Sequence, residues 1–226
     1  MKMNQPMKTT MSLAALAGLA LSTSAQAATV VGVTIQDVSS ELAGFARTAD
    51  NTINGGAGFQ AGVQSTHTNS TANGNSMWLS QGTFAGGPAD QLPAHITYDL
   101  EGNYDLSSFT VWNYNESGAT ARGANGVTVS VASSEGGSFT ALAGITTFTI
   151  APGDAVTAFG ETFDLTALAA AGNVRLLRID ITSSHGGDFD FAGLSEIRFD
   201  GEAVPEPTTT ALLGLGGLAL ILRRRK

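Results

Sequence analysis

The sequence has no cysteine. Disulfides, thiolate metal centres and a cysteine nucleophile are therefore excluded. Charged residues make up only 13% of its 226 positions, about half the usual share. Lysine is missing from the whole stretch between Lys8 and Lys226. No G-x-S-x-G, no H-E-x-x-H and no glycine-rich phosphate loop opening a helix is present; this removes the commonest sequence signatures of serine hydrolases, zinc peptidases and nucleotide-binding folds. His67, His95 and His185 are scattered, with no zinc-ligand spacing. No internal repeat and no strongly amphipathic helical stretch occurs between Ala28 and Ala203.

What is present is segregated. Six of the eleven basic residues lie at the two ends, whereas all nineteen acidic residues lie between Asp37 and Glu206 beside only five arginines. Such a body repels phosphate backbones, which argues against nucleic-acid binding, and attracts cations. The 28 glycines favour turns and short strands.

The two ends read as addresses. Lys2 and Lys8 precede the uncharged run Met11–Leu21, and small residues follow as far as Ala25-Gln26-Ala27. A charged region, an apolar region and an A-x-A site in that order predict a signal peptide over residues 1–27, forming a helix, with export and cleavage before Ala28. At the other end, Val204-Pro-Glu-Pro207 leads into fifteen uncharged residues, Thr208–Leu222, and then Arg-Arg-Arg-Lys226. As a short hydrophobic helix the fifteen span about 22 Å, less than the roughly 30 Å of a bilayer core. Gly214, Gly216 and Gly217 weaken it further. The basic tip stays cytoplasmic. The physics is that of a marginal or transient membrane stop.

Over residues 204–226 this three-part order resembles the PEP-CTERM sorting signal of Gram-negative envelope proteins. The resemblance implies that Pro205, Glu206 and Pro207 form a sorting motif processed by an exosortase. It also implies passage through the export translocon, signal peptidase cleavage, transient insertion in the inner membrane, and delivery to the envelope, cell surface or extracellular matrix. A plain C-terminal anchor is the alternative.

Between the addresses, alternation is the dominant signal. Ile96, Tyr98 and Leu100, then Val127, Val129 and Val131, then Leu177, Ile179 and Ile181 each occupy every second position. Period two predicts strands with one face in a core. Leu106–Trp112, Phe159–Asp164 and Leu194–Phe199 read likewise. Val30–Val38 reads as one strand or as a first strand that exchanges partners. The parity change between Leu176 and Leu177 predicts a bulge there. Gly55–Gly74 and Gly82–Pro93 read as loops. The fold class that follows is all-β: a two-sheet antiparallel β-sandwich over residues 28–203.

The order of pieces resembles discoidin-like, galactose-binding-like jelly-roll domains. It is carried by Ala49-Asp-Asn-Thr-Ile-Asn-Gly55, Trp78, Ile96–Leu100, Leu106–Trp112, Arg122, Ser133-Ser-Glu-Gly-Gly-Ser-Phe139, Val174–Ile181 and Gly193–Phe199. The resemblance implies a non-catalytic carbohydrate-binding module with ligand loops at one end of the sandwich. Sugar recognition requires a flat apolar ring and planar polar groups. Trp112, Asn113, Tyr114, Asn115, Glu116 and Arg122 supply both, and His67, His185 and Asp188 lie in other loops that can converge on them. The same residues also read as core and turn, with Arg122 in a structural ion pair. The resemblance further implies a structural calcium ion held by Ala49, Asp50, Asn54 and Glu196. Asn54 departs from the usual aspartate, which removes a charge and weakens affinity; the other reading pairs Glu196 with an arginine. The partner expected is an extracellular polysaccharide. The rival class is a structural surface or matrix protein without a small ligand. A glycosidase reading of Asp188 and Asp190 has little support.

Overall fold

The computed structural model describes residues 27–53, 77–87, 92–153 and 159–205. The expected signal helix, the C-terminal hydrophobic helix, Asn54, His67, Glu206 and Pro207 lie outside these residues. Among the described residues there is no α-helix. Nine strands occur: β1 (Ala28–Thr29), β2 (Thr34–Val38), β3 (Trp78–Leu79), β4 (Ala94–Asn113), β5 (Val127–Ala132), β6 (Thr140–Ala141), β7 (Glu161–Asp164), β8 (Val174–Ile181) and β9 (Gly193–Ala203). All strand pairings are antiparallel.

β4 is the hinge of the architecture. Its first half, Ala94–Asp99, lies between β2 and β8, and β5 and β6 extend that layer beyond β8. Its second half, Tyr104–Asn113, lies between β7 and β9, with β1 and β3 on the far edge of β9. Glu101, at φ +57°, turns the strand between the halves. Its backbone N–H donates to Asp99 Oδ1 at 2.8 Å, and Asp99 pairs with Arg175 Nη2 at 3.0 Å. One strand thus serves two layers, and the layers enclose one core.

That core follows the alternation in the sequence. Ile96, Val129 and Ile179 are in cross-strand register and fully buried. Phe109 and Phe163 are in register and stack at 4.9 Å. Tyr98 of one layer meets Phe199 of the other at 5.6 Å. Each such side chain, fully buried, contributes about 1.5–3 kcal/mol.

Three boundaries differ from the sequence reading. Ile96–Leu100 and Leu106–Trp112 are one strand rather than two, because the intervening Gly and Asn accommodate a bend without ending the pairing. Val30–Val38 does exchange partners: β1 pairs with β9 and β2 with β4. The register break expected near Leu176 is real but falls on β4, where four residues, Leu100–Asn103, face one, Arg175. β8 itself runs unbroken against β5.

Candidate functional site

At the end of the sandwich where β4 stops and β9 begins, four chain segments surround a cleft of about 370 Å³. Leu42, Phe45 and Arg47 come from the loop after β2, Leu79 and Phe84 from β3 and its following loop, Tyr114, Glu116 and Arg122 from the loop after β4, and Phe189 and Phe191 from the loop between β8 and β9. Beneath it, Leu42, Met77, Leu79, Tyr114 and Phe191 form a small apolar cluster separate from the main core. Tyr114 packs so tightly over Gly193 that a Cβ there would lie 2.5 Å from the ring; only glycine fits.

The floor is a polar network. The Tyr114 hydroxyl donates to Glu116 Oε2. Arg47 Nη2 lies 3.4 Å from Glu116 Oε1, and Arg122 Nη1 lies 3.6 Å from Oε2. Arg122 also clamps Asp188 in a two-pronged pair, with Nε to Oδ1 at 2.7 Å and Nη2 to Oδ2 at 3.1 Å. Each guanidinium lies over a ring, Arg47 over Tyr114 at 5.6 Å and Arg122 over Phe191 at 5.0 Å. Burial holds the Tyr114 phenol well above its ordinary value, with Arg47 pulling it down and the Glu116 hydrogen bond pushing it up. The phenol therefore stays a donor. The hydrogen bond from Arg122 holds the Asp188 carboxyl below the usual range. An acid with a lowered pKa does not serve as a proton donor near neutrality.

The rim is aromatic. Phe45 and Phe189 are 57% and 47% exposed. Phe84 stands between them, 5.6 Å from Phe45 and 5.4 Å from Phe189. Phe189 and Asp190 both adopt left-handed backbone conformations, at φ +56° and +52°. The turn is held by the hydrogen bond from Thr83 N–H to the Phe189 carbonyl, 2.7 Å, and by the Arg122–Asp188 clamp. Strain maintained by surrounding contacts at a ligand-accessible rim is a mark of functional sites.

The structure separates the residues grouped by sequence. Glu116 and Arg122 line the cleft, and Asp188 joins them. Trp112 is buried on β4, where a Cβ on Gly160 would lie 2.7 Å from its indole. Asn113 is buried and donates to the carbonyls of Ala124 and Thr149 at 2.7 and 3.0 Å. Asn115 is buried and accepts from Gly153 N–H at 2.7 Å. His185 Nε2 lies 2.9 Å from the Phe148 carbonyl and is not part of the cleft lining. Sequence reasoning missed Phe45, Arg47, Phe84 and Phe189. For Phe189 a signal exists: an aromatic ring inside Gly186-Gly-Asp-Phe-Asp190, where turn residues otherwise prevail.

Of the expected calcium set, Ala49, Asp50 and Glu196 are described and Asn54 is not. Ala49 lies on a 3-10 turn, Ala49–Thr52, that packs against β9. Its carbonyl accepts the Thr52 hydroxyl at 2.8 Å. Asp50 is exposed. Glu196 is fully buried, with Arg198 Nη2 2.7 Å from its Oε1. Calcium takes six to eight oxygens; the described part of the expected set offers the Glu196 carboxylate, which is paired with Arg198, and the Ala49 carbonyl, which accepts one hydrogen bond.

This fold is the discoidin-like β-sandwich. The chain is similar to the F5/8 type C domain of a Bacteroides fragilis protein, at 14% identity and TM-score 0.53, over 79% of this chain and 97% of that one. It is also similar to the CBM32-3 module of a family 31 glycoside hydrolase from Clostridium perfringens, at 15% identity and TM-score 0.52, over 78% and 95%. No curated protein matches the chain in sequence. Residues 203–226 match the PEP-CTERM protein-sorting motif, which marks an exported protein.

Proposed function

We propose that the protein is a non-catalytic carbohydrate-binding module displayed on the cell envelope or released into the extracellular matrix. The sorting motif accounts for the address: translocon, signal peptidase and exosortase act in turn, with the tail inserted transiently in the inner membrane. The observation that carries the ligand reading is the rim of exposed Phe45 and Phe189 over an ion-paired floor. Rings stack on the C–H faces of a pyranose, and planar carboxylate and guanidinium edges receive its hydroxyls. The carboxylates Glu116 and Asp188 are both tied to Arg122, which favours binding over hydrolysis.

Calorimetric titration of the full-length protein with a panel of bacterial polysaccharides tests this reading. Saturable binding that Phe45→Ala and Phe189→Ala each weaken at least about tenfold, with folding unchanged, is the expected result. Absence of binding across the panel would leave a structural surface protein instead.

A further inference from the structure

β9 ends where the sorting motif starts, and its last residues are held on both edges. On one edge Ala203 pairs with Tyr104 of β4, Glu202 with Asp105 and Gly201 with Leu106, and Val204 N–H donates to the Asn103 carbonyl at 2.8 Å. On the other, Ala28 and Thr29 of β1 pair with Gly201 and Asp200. Asp200 ties these strands together. Its carboxylate accepts the Thr29 hydroxyl at 2.8 Å and the Ser108 hydroxyl at 3.2 Å, and its carbonyl accepts the Ser107 hydroxyl at 3.1 Å. Asn103 fastens the same end from the bend in β4. Its Nδ2 donates to the Ser133 carbonyl at 2.8 Å and to Asn173 Oδ1 at 3.0 Å, and lies 3.3 Å from the Asn173 carbonyl.

Pro205 follows Val204 directly. A chain advances at most about 3.6 Å per residue, so the four steps from Val204 to Thr208, where the uncharged run begins, reach at most about 14 Å. With that run inserted in the membrane, the folded end of β9 lies within this distance of it. A protease that takes its substrate as an added strand needs backbone groups free to pair with the enzyme, and it cleaves what local opening exposes. On the N-terminal side of Pro205 the backbone is engaged in the sheet as far as the Val204 N–H.

We propose that the folded end of β9 is a brake on removal of the sorting segment. The membrane protease cleaves after residues 201–204 leave β4 and β1, and the Asn103 and Thr29 side chains set how often they do. This regulation rests on the exosortase reading above.

The test is a pulse-chase of the full-length protein in a Gram-negative host with and without an exosortase, with loss of the C-terminal segment followed by mass. Three variants are compared: Asn103→Ala, Thr29→Val, and six glycine and serine residues inserted between Val204 and Pro205. Thr29 is exposed and Asn103 is not fully buried, so both substituted bodies are expected to fold, which circular dichroism checks. Asn103→Ala is expected to be processed about fivefold faster than the unaltered protein, Thr29→Val about twofold faster, and the insertion variant fastest, because it supplies a strand that needs no opening. Unchanged or slower processing of both substituted proteins overturns the inference and leaves the exosortase reading standing. Acceleration by the insertion alone would show that reach to the membrane sets the rate, and also overturns it. Retention of the segment in every protein with the exosortase present, or equal loss without it, removes both.

Discussion

Phe189 holds a backbone conformation that costs a non-glycine residue on the order of 1–3 kcal/mol, at φ +56°. Its ring is nearly half exposed, so burial offsets little of that cost. The account gives the ring a ligand rather than a packing role. Phe189→Gly is therefore expected to be more stable than Phe189→Ala by about 1 kcal/mol in urea unfolding, while both lose glycan affinity. A glycine variant no more stable than the alanine one would mean that the turn is unstrained. Trp112 has the opposite character. It is buried against Gly160, and Trp112→Ala is expected to cost about 3–5 kcal/mol. Retained stability with lost binding would return Trp112 to the ligand site. Both residues are aromatic with a polar residue directly following, so the sequence alone does not separate them; burial by Gly160, forty-eight positions away, does.

At the scale of elements, the loop between β8 and β9 is tied to the loop after β4 by hydrogen bonds such as Asn125 N–H to the Ser183 carbonyl and by one side-chain ion pair. Arg122 holds Asp188, whose carboxyl titrates below its ordinary range; Asp164 is lowered likewise by the Thr166 hydroxyl and N–H. A carboxyl depressed in the folded state stabilises above its unfolded pKa, about 4, and that contribution is lost as pH falls through the folded value. The urea midpoint is thus expected to fall on acidification below about pH 4, with a shallower fall in Asp188→Asn. Identical acid profiles for the two proteins would show that the clamp is solvated and idle. The strands themselves were legible because alternating Ile, Leu and Val can bury only one face. The unity of β4 was not, since Glu101-Gly-Asn103 has the composition of a turn and only its neighbours' pairing shows that the strand continues. Within the site, Glu116 and Arg122 were legible together because one loop carries both. Phe45, Arg47, Phe84 and Phe189 were not, because three distant loops converge only when the sandwich closes.

For the whole molecule, the cleft and residues 203–205, where the sorting match begins, lie at opposite ends of β9. Gly193 abuts Tyr114 at the cleft, and Ala203 pairs with Tyr104 at the other end, where Val204 N–H donates to the Asn103 carbonyl at 2.8 Å. Eleven strand residues separate them by about 36 Å. The frame between these ends depends on charge neutralisation inside β9. Arg198 supplies it for the buried Glu196. Arg198→Met is expected to cost about 3–5 kcal/mol by removing this ion pair from a buried carboxylate. The melting midpoint of the unaltered protein is expected to be the same in calcium and in EDTA. A calcium-dependent rise would show instead that Asn54, with oxygens outside the described residues, completes a metal site with Glu196.

Hydrogen–deuterium exchange of the full-length protein, with and without a bound glycan, tests the central claim most directly. Protection confined to residues 42–47, 83–87, 114–122 and 186–191 is the expected result, because these segments enclose the cleft. Protection at the opposite end of the sandwich, around Asn103 and Asn173, or none at saturating glycan, would contradict the assignment of the cleft as the ligand site.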